Sequence, residues 1–258
     1  MQKILGYLRK AIQQYDMIQN GDRIAVGISG GKDSMVLLYS LILLRRFLGI
    51  DYDICAVTID LFFNKKAGNY STIIDFCHKN NVKYHIIPTQ IGEIVFDVRN
   101  EKSPCSLCAR MRRGALHNTA SELGCNKIAL GHNLDDTVET FIMNLFTEGR
   151  IGCYSPVTIL PDKNLTVIRP LVLAPEKEIR RAVRKNEIPT TTSTGSTTTR
   201  ATTTKVTTKA TTTAKPGTTT KKSGTTESPK TGVAGVGVAA AGLVVALGTA
   251  FVLRKKED

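Results

Sequence analysis

The stretch "VGISGGKDSMVLLYS", residues 26–40, ends a short apolar run in a glycine pair and restarts at once as an apolar helix. A strand, a glycine turn and a helix in that order present free amides to a phosphate. Adjacent glycines let consecutive N–H groups point into one concavity, and the first helical turn adds unpaired amides and a positive dipole end. The loop comprises Ser29, Gly30, Gly31, Lys32, Asp33 and Ser34. Ser29 and Ser34 offer hydroxyls, Lys32 a point charge, and Asp33 either a helix cap or a Mg²⁺ ligand. A plain glycine turn is the alternative reading. A Walker A loop is excluded, because Asp33 follows Gly31-Lys32 and Val26 stands where a glycine is required. A dinucleotide fingerprint is excluded by the spacing of Gly27, Gly30 and Gly31.

Outward from this loop, strand and helix alternate. Helical spacing opens the chain (Ile4, Leu8, Ala11, Ile12, Tyr15), a strand is predicted over Arg23–Ile28, and a helix over Asp33–Phe47, stopped by Gly49. Further strands are predicted at 53–60, 83–87, 127–132 and 165–170, with helices at Asn69–Asn80, Ser106–Leu123, Leu134–Phe146 and Pro175–Lys185. The strands are continuous apolar runs and the connections are too long for hairpins. The pattern therefore predicts an α/β domain, a parallel sheet with helices on both faces. Ligands in such sheets sit beyond the carboxyl ends of the strands, where Ser29, Asp60 and His132 fall.

The formal net charge of +13 divides unevenly: ten Lys and Arg against three acids follow Pro189, leaving 25 against 19 before it. A basic domain suits nucleic acid, and a solvated lysine face explains the same excess. All six cysteines (Cys55, Cys77, Cys105, Cys108, Cys125, Cys153) lie in the first 153 residues, and the N-terminus lacks the apolar core of a signal peptide. A reducing, cytoplasmic compartment is expected, in which cysteines are buried thiols, metal ligands or redox groups rather than disulfides. Cys55 and Cys77 are expected to be buried, and Cys125 and Cys153 structural. The segment "SPCSLCARMRRGAL" (103–116) places Cys105 and Cys108 at Cys-x-x-Cys spacing ahead of Arg110, Arg112 and Arg113. Such a pair chelates metal or carries sulfur, and a helix terminus beside arginines is expected to lower the thiol pKa.

"SGGKDS" resembles the PP-loop of the N-type ATP pyrophosphatases, and "GHNLDDTVET" (131–140) is similar to the downstream motif of the PP-loop enzymes that modify tRNA. With the cysteine pair, residues 1–189 resemble the tRNA 2-thiocytidine biosynthesis (TtcA) family. The resemblance implies a Rossmann-like PP-loop ATPase domain that uses ATP and Mg²⁺ to adenylate the C2 carbonyl oxygen of an anticodon-loop cytidine. Sulfur then replaces adenylate. It also implies a [4Fe-4S] cluster held by Cys105, Cys108 and a third cysteine, with sulfur supplied by a donor such as a cysteine desulfurase. His132, Asp135 and Asp136 become candidates for nucleotide or Mg²⁺ contacts, Asp60 a weaker one, and Arg110, Arg112 and Arg113 candidates for the tRNA backbone. The bland alternatives are a core histidine, helix caps and a solvated helix face. A homodimer is a further expectation.

The match breaks after Pro189. No cysteine follows Cys153, so the family's third cluster ligand has no counterpart. Residues 190–227 are a threonine-rich, lysine-punctuated segment with almost nothing apolar, expected to be a disordered linker. Residues 228–258 resemble a sortase sorting signal: "SPKTG", an apolar run over 233–253 read as a C-terminal helix, and a basic end, implying membrane or cell-wall anchoring. That tail conflicts with a cytoplasmic ATP- and tRNA-using enzyme, so the chain reads as a chimera of a truncated thiolation enzyme and a surface-protein tail. Two other readings are a sulfur-independent PP-loop ligase of the lysidine synthetase type and an anchored surface protein with an incidental PP-loop domain.

Overall fold

The computed structural model describes residues 1–63, 66–99 and 104–191. The chain divides into two compact units, Met1–Thr198 and Thr199–Asp258, and every described residue lies in the first. The linker and the sortase-like tail fall outside the described residues. Among the described residues, no helix is long and apolar enough to cross a membrane.

Helix α1 (Gln2–Gln14) leads into strand β1 (Asp22–Gly27), helix α2 (Lys32–Leu44) and strand β2 (Tyr52–Asp60). Helix α3 (Ser71–Lys79), strand β3 (Lys83–Pro88), the single turn α4 (Ile91–Glu93) and a π-helical turn over Ile94–Val98 follow. Helix α5 (Pro104–Glu122), strand β4 (Lys127–Ala129) and helix α6 (Leu134–Thr147) come next. The chain then forms β5 (Val157–Leu160), a 3₁₀ turn at Pro161–Lys163, β6 (Leu165–Ile168) and α7 (Glu176–Asn186).

Six strands pair in the order β3-β2-β1-β4-β6-β5. β1 runs parallel to both β2 and β4, with Ala25 opposite Cys55 on one side and Ile128 on the other. Order reverses at β1/β4, the switch point where an open parallel sheet leaves a crevice. One face is covered by α1, α2, α3 and α7, whose Leu8, Leu38, Ile73 and Ile179 are wholly buried with Ile24 and Val26 of β1. On the other face Ala120 of α5 packs with Ala25, Val57 and Ile128. Met35, Leu37, Leu38 and Leu41 are fully enclosed, each contributing about 1.5–3 kcal/mol.

The sheet is not wholly parallel as expected from the apolar runs. β5 pairs antiparallel to β6, with Val157 opposite Ile168. A short connection is possible because Asn164 takes the left-handed conformation (φ +49°) after the 3₁₀ turn. β5 escapes sequence detection because it is a four-residue edge strand with Ile159 exposed, carrying neither a continuous apolar run nor clean alternation.

One buried polar group ties the start of β1 to β4. The Asp22 carboxylate accepts from Lys127 Nζ at 2.8 Å, from Asn126 Nδ2 at 2.7 Å and from the Gln19 amide at 2.6 Å. Lys127 also donates to the Met17 carbonyl at 2.8 Å. Asp22→Ala strands a buried ammonium, and the expected loss is about 3–5 kcal/mol, read as a lowered urea midpoint.

Candidate active site

The loop between β1 and α2 turns at Gly30 (φ +79°), a left-handed position, and Gly31 then caps α2 in extended conformation. The Gly31 amide donates to Ser29 Oγ at 3.3 Å, while Ser34 Oγ donates back to the Gly31 carbonyl at 2.9 Å and accepts from the Ser29 amide at 3.3 Å. Two hydroxyls thus hold the loop open in its own absence of side chains. From the opposite strand, Gly131 comes so close that a Cβ there would lie 3.0 Å from the Ser34 amide nitrogen.

Lys32 is clamped. Its Nζ lies 3.0 Å from Asp33 Oδ2 and 2.8 Å from Glu176 Oε1, at the first residue of α7. Burial works to lower its pKa, but the bonds to Glu176 and Asp33 outweigh it and the net shift is upward. Glu176 is held below the usual carboxylate range by Lys32 and then by Arg180, whose Nη2 sits 2.8 Å away. The remaining Asp33 oxygen accepts from Asn133 Nδ2 at 3.2 Å.

Asp135 and Asp136 both have structural partners. Asp136 closes a capping box at the start of α6, accepting from the Asn133 amide at 2.9 Å while its own amide donates to Asn133 Oδ1 at 3.1 Å. Asp135 Oδ2 accepts from the Glu176 amide at 2.7 Å. Asp60 organises the loop after β2, accepting from the Phe62 and Gly68 amides at 3.0 Å each.

A cavity of about 390 Å³ opens over these carboxyl ends. Ser29, Asp33 and Ser34 line its loop side, Ile28, Val57, Leu116 and Leu130 form an apolar wall, and Arg112 and Arg113, with His117 and His132, line the rim. Asp60, Asp135, Asp136 and Arg110 are not among the lining residues. α5 therefore splits the arginine cluster: all three are exposed, but only Arg112 and Arg113 border the cavity, and Arg110 lies elsewhere on the helix.

His132 Nδ1 is buried without a hydrogen-bond partner. Its ring meets Tyr154 at 4.9 Å between centroids, and the Arg169 guanidinium lies 4.9 Å over the other ring. Burial, then Arg169, pushes the His132 pKa down, so the imidazole is neutral near pH 7.

Cys105 is exposed and Cys108 is buried against Ile91 and Val95, one turn apart in the first turns of α5. The expected activation of this thiol pair is not what Cys108 shows: burial raises its pKa, and Arg112 opposes that without winning. Among the described residues, no three His, Cys, Asp or Glu side chains converge as a metal site. Cys77 is buried and Cys153 exposed, its thiol 3.3 Å from the Thr137 carbonyl. Cys55 is half-buried and Cys125 buried.

Residues 4–198 match the PP-loop domain family. The chain belongs to that family. The tRNA-cytidine(32) 2-sulfurtransferase of Citrifermentans bemidjiense is 40% identical over 188 residues, covering 72% of this chain and 73% of the relative. Its namesake in Geobacter sulfurreducens is 41% identical over 189 residues, 72% of each chain. The U34-tRNA thiolase NcsA from Methanococcus maripaludis, solved with its [4Fe-4S] cluster, superposes with a TM-score of 0.60 at 25% identity, covering 74% of this chain and 64% of that one.

In this PP-loop protein, sequence reasoning missed Asn133, Glu176, Tyr154 and Arg169. The Asn-x-x-Asp spacing at 133–136 is a capping-box signature and was available. Glu176 carries no local signal, because its partner Lys32 is brought to it only by packing α7 on α2.

Protonating His132 disfavours the fold. Below about pH 6.5 the unfolded chain takes up this proton before the folded chain does, so stability falls as pH drops through that window. His132→Gln removes one such group, and its urea midpoint is expected to decline less steeply between about pH 7 and 5 than that of the parent.

Proposed function

We propose that this chain uses ATP to activate a tRNA cytidine for thiolation. The observation that carries the reading is the single cavity joining the PP-loop to Arg112, Arg113 and an apolar wall. It is supported by membership of a family whose relatives are tRNA-cytidine(32) 2-sulfurtransferases.

The residues fit ATP. The loop amides, Ser29, Ser34 and Lys32 match the phosphates, with α2's dipole aimed the same way. The apolar wall of Val57, Leu116 and Leu130 suits a base. Asp33 is the acid best placed to hold Mg²⁺, since it alone of Asp33, Asp135 and Asp136 faces the cavity. Arrival of phosphate gives Lys32 a third anion to choose among, and Glu176 then acts as the parking site it leaves.

In the reaction, the cytidine C2 oxygen attacks the α-phosphorus, pyrophosphate departs, and the carbonyl oxygen becomes part of a good leaving group. A sulfur nucleophile then adds at C2 and AMP leaves. Arg112 and Arg113 face the site of negative charge development, while exposed Arg110 is left for the tRNA backbone. His132, neutral and with Nδ1 uncommitted, can accept a hydrogen bond from the nucleotide or the base.

The residues do not fit a three-cysteine [4Fe-4S] site. Cys105 and Cys108 supply two thiols, among the described residues no third His, Cys, Asp or Glu converges with them, and no cysteine follows Cys153. Adenylation is thus the half-reaction this chain is equipped for, and sulfur insertion is the half that is impaired.

Two measurements test the reading. Lys32→Ala is expected to weaken ATP binding by about 10- to 100-fold, the worth of one charge-assisted hydrogen bond, in an equilibrium titration. Unchanged ATP affinity would sink the phosphate assignment. Anaerobically purified protein incubated with ATP and unmodified tRNA is expected to release pyrophosphate but to form little 2-thiocytidine and show little [4Fe-4S] absorbance. Full cluster loading with normal thiolation would overturn the impaired half.

A further inference from the structure

The proposed function uses the carboxyl ends of the strands. At the opposite end of the sheet lies a second cavity, of about 280 Å³, that it leaves without a task. Arg23 at the start of β1, Arg45 just past α2 and Lys83 at the start of β3 contribute cations to its wall, against one acid, Asp53. That acid lies 3.8 Å from Arg45, so the wall is net positive. Cys55 and Cys125 line the same cavity.

The two sulfurs are 3.6 Å apart although their residues are 70 positions apart in the chain. Cys55 projects from β2, opposite Ala25 of β1, whose small side chain leaves room above the sheet. Cys125 sits in the turn between α5 and β4, where its amide donates to the Ala120 carbonyl at 2.9 Å. Both thiols are free. Either thiol can donate to the other across this contact, and the contact, with help from Arg23, holds the Cys125 pKa below the ordinary thiol value. The same contact and burial push Cys55 the other way. The two sulfurs share one cavity and one cation, Arg23, and the direction of these shifts favours Cys125 as the nucleophile with Cys55 as its proton-bearing neighbour.

We infer that Cys125 and Cys55 form a reactive thiol pair, reached through this cationic cavity, that exchanges with anionic low-molecular-weight disulfides and ends as an internal Cys55–Cys125 disulfide. In the first step the Cys125 thiolate attacks one sulfur of the small disulfide, forming a mixed disulfide and expelling one thiolate. In the second, Cys55 loses its proton to that thiolate and attacks Cys125 Sγ, closing the internal bond and expelling the second thiolate, which takes up from solvent the proton Cys125 released on ionising. The protein pair loses two electrons and two protons, and the small disulfide gains them. Closing the bond requires the sulfurs to approach from 3.6 Å to about 2.0 Å, a movement the Cys125 turn can supply more readily than β2. The product ties that turn to β2.

The test uses the full-length reduced chain, exposed separately to glutathione disulfide and to cystamine, an anionic and a cationic disulfide. Quenched samples are read by intact mass and peptide mapping. With glutathione disulfide, a cross-linked peptide pair containing Cys55 and Cys125 is expected, and its formation is expected to be several-fold faster than with cystamine. Cys55→Ser is expected to stop at a mixed disulfide on Cys125, and Cys125→Ser to leave Cys55 unmodified. The inference is overturned if Cys55 and Cys125 stay reduced while exposed Cys105 and Cys153 react, or if the two disulfides modify Cys125 equally fast. Mapping of the unmutated chain decides these outcomes alone, whatever the variants do, and no outcome depends on ATP or tRNA.

Discussion

β1 must deliver its carboxyl end to open space and yet hand the chain to a helix within a few residues, and the left-handed turn at Gly30 makes that possible. With Ala25 and Val26 completely buried, the strand cannot shift along its neighbours to relax the turn. α2, apolar on nearly every side, cannot rotate away either, because Met35, Leu37, Leu38 and Leu41 fix its phase against the sheet. The loop between them is therefore rigid by confinement, and its amides point where they do before any phosphate arrives. The Ser29 and Ser34 hydroxyls complete this by bonding to the loop rather than to solvent.

The polar contacts around the loop form a closed circuit of helix starts. Lys32 and Asp33 open α2, Asn133 and Asp135 begin α6, and Glu176 opens α7, and each reaches across to another. Three positive dipole ends converge there, and the acids among them lower the cost of that convergence. An incoming polyphosphate competes for donors that those acids already hold, so binding is an exchange of partners rather than the filling of a bare positive hole. Discrimination for a highly charged ligand follows, since a weakly charged one offers Lys32 less than Glu176 does.

Much of this was legible in the sequence. The glycine pair, the buried strand before it and the apolar helix after it fix β1 and the start of α2 to within a residue, although α2 ends at Leu44, three residues before the expected Phe47, and Gly124 marks the end of α5. What was not legible has identifiable causes. β5 lies at an edge with one side exposed, so burial leaves no pattern in four residues. The three arginines after the cysteine pair look alike in a list, and only the rotation of α5 about its axis separates Arg112 and Arg113 from Arg110. The electrostatics of Cys108 could not be read from its arginine neighbours, because burial against Ile91 and Val95 outweighs them, and those partners come from an unanticipated short helix and π turn. Glu176 meets Lys32 only through the packing of α7 on α2, which no local window contains.

The segment leaving α7 has one more contact of interest. The Thr191 amide donates to the Gly30 carbonyl at 3.0 Å, and a Cβ on Gly30 would run into the Thr191 hydroxyl. Thr191 thus backs directly onto the loop at Gly30, like a wedge behind a hinge. That contact couples the position of Thr191 to how tightly Gly30 is braced. Thr191 and the glycine loop share a backbone hydrogen bond.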